Sequence, residues 1–236
     1  ARDGSVIGSE ALLRWRHPTL GPQSPAQFIQ VLEESGLILE VGAWVLSEAC
    51  HAGSRLLQEG LVRRDAFQLC VNISPRQFRQ SDFVERVERC VEQSRLPASM
   101  LKLEITEGIV IQNLDDTIAK MHRLKKLGLS FAMDDFGTGY SSLTYLKRLP
   151  VDVLKIDQSF VRALGEVGRT HHIVETIITL ARRMGMEVVA EGVETADLIR
   201  PLRELGCTFG QGYHYSRPVP ADVMGGMLDR PIASRG

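Results

Sequence analysis

Glu10, Asn72, Glu104, Asp134, Asp135, Lys155, Glu191 and Gln211 are the residues best placed to do chemistry, because each interrupts or ends a short apolar run. Glu10 ends the run 6–9, Asn72 follows 69–71, and Glu104 lies within 101–106. Asp134 and Asp135 follow Ala132 and Met133, Lys155 interrupts 153–156, Glu191 follows 188–190, and Gln211 sits within 209–213. Charged side chains are seldom buried without partners, so their recurrence in the most apolar segments calls for a cause. Singly, each has an ordinary explanation: Glu104 facing solvent, or residues 72–74 forming a turn. As a set they suggest one polar bowl. Clustered carboxylates repel one another unless cations sit between them. Donors that are all oxygen select hard ions, Mg²⁺ or Mn²⁺, rather than structural zinc. Adjacent Asp134 and Asp135 suit two ions with one carboxylate bridging, the arrangement of in-line phosphoryl chemistry with ions about 3.5–4 Å apart. The histidines, His17, His51, His122, His171, His172 and His214, have no HxxxH spacing, and His171 and His172 are expected at the surface of a helix.

Such residues need elements to bring them together. Strand-like runs cover 6–13, 67–73, 101–106, 129–133, 151–156, 187–190 and 208–213. Helical spacing links Leu114, Ile118, Met121 and Leu124, and again Ile173, Val174, Ile177, Leu180, Ala181 and Met184. Gly128 and Gly206 are placed to end helices, and Asp115 and Thr170 to start them. The alternation predicts an α/β fold of parallel strands joined by crossover helices, as a doubly wound sheet or a closed barrel. In a parallel barrel the C-terminal strand ends converge on one face, where such folds carry their active sites. A closed barrel of this class needs about eight strands, one more than these runs supply. No linker divides the chain, so residues 1–236 read as a single domain with a loose tail at 232–236.

Bulk properties narrow the function. The 236 residues are 44% hydrophobic and carry 28 basic and 29 acidic side chains with no long run of either sign. A balance near neutrality argues against gripping a nucleic-acid polymer through many phosphates, while leaving room for a small anionic ligand. Cys50, Cys70, Cys90 and Cys207 form no CxxC pair and are expected as reduced thiols. No apolar run reaches the ~20 residues of a membrane span. The expectation is therefore a cytoplasmic domain, with a membrane anchor elsewhere in a longer protein left open.

Seven motifs then stand in one order: Glu10-Ala11-Leu12 within GSEALLRWRHP, VNIS at 71–74, LEITE at 103–107, DDFGTGYSSL at 134–143, LKID at 154–157, EGVE at 191–194 and GQGYHYSRPVP at 210–220. This chain closely resembles the EAL domain family. Competing signals fail: DFG at 135–137 has no accompanying HRD or Gly-rich loop. Gly137 and Gly139 lack the third glycine of a dinucleotide fingerprint.

The resemblance implies a (β/α)8 TIM-like barrel of EAL type and hydrolysis of cyclic di-GMP to linear 5'-pGpG. It implies Glu10, Asn72, Glu104 and Asp134 around one metal ion, and Asp134 and Asp135 on the other, with Glu191 and Gln211 completing the surroundings. Its catalytic set is Lys155, Glu191 and Glu10, with Lys155 either deprotonating or positioning the attacking water. Substrate contacts fall to Arg14, Leu12 and Gln211; a rim salt bridge is the alternative for Arg14. Glu107 would pin the loop 135–142, Glu194 would give further support, and Asp157 reads as a structural partner. The resemblance also implies two Mg²⁺ or Mn²⁺ ions, inhibition by Ca²⁺, a homodimer, and fusion upstream to a sensory or diguanylate cyclase-like domain. EAL domains open on an antiparallel strand with a Tyr-Gln-Pro-type motif, and residues 1–5 read instead as the turn after it. An edge left open along 6–13 would make this chain dimeric or aggregation-prone and less active. A receptor that binds cyclic di-GMP without turnover should have lost metal ligands, and a non-binding scaffold more motifs still; every ligand type is present.

Overall fold

The computed structural model describes residues 5–109, 113–137, 143–165 and 169–228. The expected turn at Asp3-Gly4, loop residues 138–142 and the tail 232–236 lie outside them. The strands are β1 (Gly8–Ala11), β2 (Trp15–His17), β3 (Gly21–Gln23), β4 (Gln68–Asn72), β5 (Leu101–Thr106), β6 (Ser130–Phe136), β7 (Val153–Ile156), β8 (Glu187–Ala190) and β9 (Phe209–Gly210). The helices are α1 (Pro25–Ser35), α2 (Ile38–Gln58), α3 (Pro75–Phe78), α4 (Phe83–Ser94), α5 (Leu114–Lys126), α6 (Leu143–Leu146), α7 (Gln158–Arg162), α8 (Arg169–Arg183), α9 (Ile199–Glu204) and α10 (Ala221–Leu228).

All seven expected runs contribute a strand to one sheet, in the order β1-β4-β5-β6-β7-β8-β9. Every neighbouring pair is parallel, and helices lie between successive members of the sheet along the chain. Parallel strands are covered on both faces and so read as continuous apolar runs. All four residues of β7 are buried, Lys155 included. The sheet curls: Gln211, just past β9, donates through Nε2 to Glu10 Oε2 on β1 at 2.5 Å, joining residues 201 positions apart. The architecture is the expected barrel class with a seam between β1 and β9, which are not paired among the described residues.

Several local expectations shift. β1 occupies only part of 6–13 and β9 only Phe209–Gly210, whereas β6 continues through Asp134 and Asp135. The antiparallel hairpin β2–β3 was not anticipated, because three-residue strands are too short to show an alternating pattern. Its turn is held by His17, whose Nδ1 accepts from the backbone N–H groups of Thr19 and Leu20. Helix α5 is capped by Asn113, which accepts from the Asp116 N–H at 3.2 Å, and Asp115 lies inside the first turn. Helix α8 passes through Thr170 instead of starting there. Its inward stripe is Val174, Ile177, Ile178 and Ala181, while Ile173 is exposed. Gly128 and Gly206 do follow their helices with left-handed backbones, at φ 104° and 85°.

Candidate functional site

Parallel pairing turns the strand ends toward one face, though not at one height: Asn72 is level with Glu104, whereas Glu10 is level with Cys70 and Glu104 with Ala132. Lys155 stands at the centre, 2% exposed. Its Nζ lies 2.7 Å from Glu191 Oε1, 2.9 Å from Glu104 Oε2, 3.2 Å from Asp134 Oδ1 and 3.7 Å from Glu10 Oε2. Glu10 is held on its other side by amides: Oε1 accepts from Asn72 Nδ2 at 2.6 Å and Oε2 from Gln211. That leaves Asn72 Oδ1 as an acceptor.

Consecutive residues of a strand point to opposite faces, so Asp134 and Asp135 should diverge. They converge because β6 is irregular. Its register with β7 shifts between Met133 and Phe136, and Asp135 adopts a left-handed backbone at φ 54°. The kink brings carboxylate oxygens of Asp134, Asp135 and Glu191 within 4.8 Å of one another, and the Asp135 N–H donates to Asp134 Oδ1 at 3.0 Å. A non-glycine residue in this region costs on the order of 1–3 kcal/mol and survives where the surroundings enforce it, often at functional sites.

Burial dominates the electrostatics. It pushes the Glu104 carboxyl up to about 8, against the pull of Lys155. The same cause raises Glu191 to about 7 and, together with the Asp134 and Asp157 charges, raises Asp135. Burial also works against ionisation of Glu10, but Lys155 and the amides of Gln211 and Asn72 outweigh it and hold Glu10 below the usual range. Burial disfavours the Lys155 ammonium, yet its carboxylate neighbours keep it firmly charged. One ammonium thus faces four carboxylates. The excess negative charge and the surrounding oxygen donors fit hard divalent cations.

The remaining expected site residues lie around the bowl. Arg14 is exposed, just past β1; its guanidinium donates to the Leu13 carbonyl at 2.9 Å and has no carboxylate partner among the described residues. Leu12 is exposed beside it. Glu107 Oε1 accepts from the Gly137 N–H at 3.4 Å, at the start of the loop it was expected to hold. Glu194 pairs with Arg162 at 2.6 Å, both side chains exposed. Asp157 caps α7, accepting from the Ser159 N–H at 2.9 Å.

Two residues near the site went unremarked. Cys70 is half-buried beside Glu104, and desolvation, followed by that carboxylate, raises its thiol well above the usual range. Gly212 packs edge-on against Val193, where an added Cβ would lie 2.3 Å from the Val193 carbonyl oxygen and 2.4 Å from its nitrogen. The spacing GQG at 210–212 was the available signal for the second. Gly212→Ala should force the turn carrying Gln211 away from Glu10, with a loss of about 1–3 kcal/mol. Urea denaturation measures it, and an unchanged midpoint would show that the turn adapts freely.

The EAL domain profile matches residues 1–218. Cyclic di-GMP phosphodiesterase NbdA of Pseudomonas aeruginosa is 43% identical over 218 residues, which is 92% of this chain and 28% of that protein. The bifunctional diguanylate cyclase/cyclic di-GMP phosphodiesterase MucR of the same organism is 40% identical over 224 residues, 95% of this chain and 32% of MucR. The chain thus spans about a third or less of these relatives' length. Among solved structures, the PaMucR phosphodiesterase in complex with c-di-GMP superposes with a TM-score of 0.89 at 40% identity, covering 95% of this chain and 90% of that one. The EAL enzyme Bd1971, in its cAMP- and cyclic-di-GMP-bound form, gives 0.90 at 37% identity, covering 95% and 61%.

Proposed function

The chain belongs to the EAL domain family, and on that premise we propose that it hydrolyses one phosphodiester bond of cyclic di-GMP, giving linear 5'-pGpG. The observation that carries the proposal is the charge imbalance around Lys155: four carboxylates, framed by amides, converge on a single ammonium. A receptor without turnover needs no such excess of metal-binding oxygen.

In this reading Glu10, Asn72, Glu104 and Asp134 would hold one divalent ion, and Asp134 and Asp135 would hold the other, with Glu191 and Gln211 completing the surroundings. When bound, Mg²⁺ or Mn²⁺ supplies Lewis acidity toward the phosphate and the attacking water. The protein's part is positioning. Water attacks phosphorus in line, the bond to the 3'-oxygen breaks, and the proton lost by the water ends on that oxygen. Lys155, fixed among its carboxylates, orients the attacking water. Arg14, which has no carboxylate partner among the described residues, clamps a phosphate, and Leu12 gives an apolar contact beside it. Glu107 steadies the backbone leaving Asp135, while Glu194 acts at a distance through Arg162. The proposal extends to a cytoplasmic homodimeric module, residues 1–236, joined upstream to a sensory or diguanylate cyclase-like domain.

The decisive experiment is incubation with cyclic di-GMP and Mg²⁺ or Mn²⁺, followed by chromatography for pGpG. Tight binding with no product would make the chain a receptor. Two further outcomes are expected from the same assay. Ca²⁺ should inhibit, because its longer and looser coordination misaligns water and phosphate; equal rates in Ca²⁺ and Mg²⁺ would contradict this. Arg14→Ala should weaken cyclic di-GMP binding about tenfold or more, consistent with loss of a charge-assisted contact. Unchanged affinity by calorimetry would remove Arg14 from the substrate site.

A further inference from the structure

Helix α8 carries a second cluster of ligating side chains, remote in chemistry from the bowl. His171, His172 and Glu175 each offer one ligand atom, and these atoms all lie within 4.8 Å of one another. His172 Nδ1 is 3.5 Å from Glu175 Oε2. The two imidazole rings stand edge to face, with centroids 6.0 Å apart and planes at 86°. Glu175 is four residues after His171 and three after His172, so helical geometry places it between them on one face. The side chains of His172 and Glu175 are 81% and 54% exposed, free to adjust around an ion. The sequence hid this arrangement because two of the ligands are adjacent and the third is a carboxylate.

The donor chemistry selects a different ion from the bowl. Imidazole nitrogen with one carboxylate suits Zn²⁺, Cu²⁺ or Ni²⁺, while Mg²⁺ and Mn²⁺ prefer oxygen. Three ligands leave a coordination position for water. We propose that His171, His172 and Glu175 form a transition-metal site, for Zn²⁺ or a chemically similar ion, independent of the carboxylate bowl. Its position gives an ion there a structural consequence. Ile177, two residues after Glu175 and on the buried side of the helix, packs with Phe160 against Gly137: a Cβ added at Gly137 would lie 2.9 Å from the Phe160 ring and 3.6 Å from Ile177 Cδ1. Gly137 is the second residue after Asp135. An ion bridging the first turns of α8 would therefore sit on the helix whose opposite, buried side backs the strand that carries Asp134 and Asp135.

The test is calorimetric titration of the whole chain, stripped of transition metals and held in excess Mg²⁺, with Zn²⁺ above the pKa of imidazole so that the ligands are free. The chain should bind one more Zn²⁺ than the His171→Ala/His172→Ala variant, or bind it about tenfold or more tightly. The Asp134→Asn/Asp135→Asn variant should keep that step. With Cu²⁺ in place of Zn²⁺, paramagnetic resonance should show coupling to two imidazole nitrogens, lost in the histidine variant. The histidines are exposed, so their replacement leaves the fold in place, and circular dichroism checks it. Equal stoichiometry and affinity for Zn²⁺ in the chain and its histidine variant, or loss of the step only in the aspartate variant, would overturn the proposal.

Discussion

Lys155→Met is expected to abolish most turnover and to destabilise the metal-free protein by several kcal/mol. Methionine nearly conserves volume, so the effect isolates charge from packing. In the native site the Lys155 ammonium is the only cation within 4 Å of Glu191, Glu104, Asp134 and Glu10 among the described residues. Removing one partner of a buried ion pair typically costs about 3–5 kcal/mol, because the surviving charge has no water to replace it. Partial protonation of Glu104, raised to about 8 even with Lys155 present, moderates that cost. The loss in rate should be on the order of 10²–10³-fold, in line with removing a donor aimed at developing charge. Urea denaturation in chelator reads the first effect and the pGpG assay the second. Normal turnover in a destabilised variant would confine Lys155 to structure; unaltered stability would mean that water already screens the carboxylates.

Glu10→Ala should be more damaging still to catalysis. Glu10 is proposed to hold an ion, and it also ties Asn72 and Gln211 together across the seam between β1 and β9. Losing several kcal/mol of transition-state stabilisation from a misplaced ion corresponds to a rate on the order of 10³-fold lower or worse. A readout other than activity separates the two roles. Mg²⁺ at about 100 times its Kd should stabilise the native chain by about 2.7 kcal/mol, and the increment should vanish in Glu10→Ala. Glu10→Gln, which keeps an acceptor for one amide, should recover part of the metal-free stability but little activity. Recovery of activity in Glu10→Gln would remove Glu10 from the ion.

How much of this was legible beforehand depends on how far apart the interacting residues lie. The strands, their parallel pairing and the polar ends were readable because each is local: an apolar run interrupted by Glu104 or Lys155 is unusual wherever it folds. The order of seven short motifs brought the family into view for the same reason. The rotation of α8 was not readable. Ile173 fits the helical stripe as well as Ile178, and only packing against the sheet exposes one and buries the other. The start of α5 depended on which of several neighbouring polar side chains reached a free N–H, and Asn113 does so rather than Asp115. Glu194 sits in a motif, yet its partner is Arg162 on another element.

The site itself divides along the same line. Its residue types were in the sequence; its geometry was not. Asp134 and Asp135 could be read as adjacent carboxylates, but their convergence requires the left-handed turn at φ 54°, imposed where β6 shifts register against β7. The contact between Gln211 and Glu10 spans 201 positions and exists only because the sheet curls its two edges together. Local pattern is set by each residue's immediate neighbours and survives in the sequence. Distances between strand ends follow from the twist and curl of a whole sheet, to which every strand contributes and which no single segment encodes.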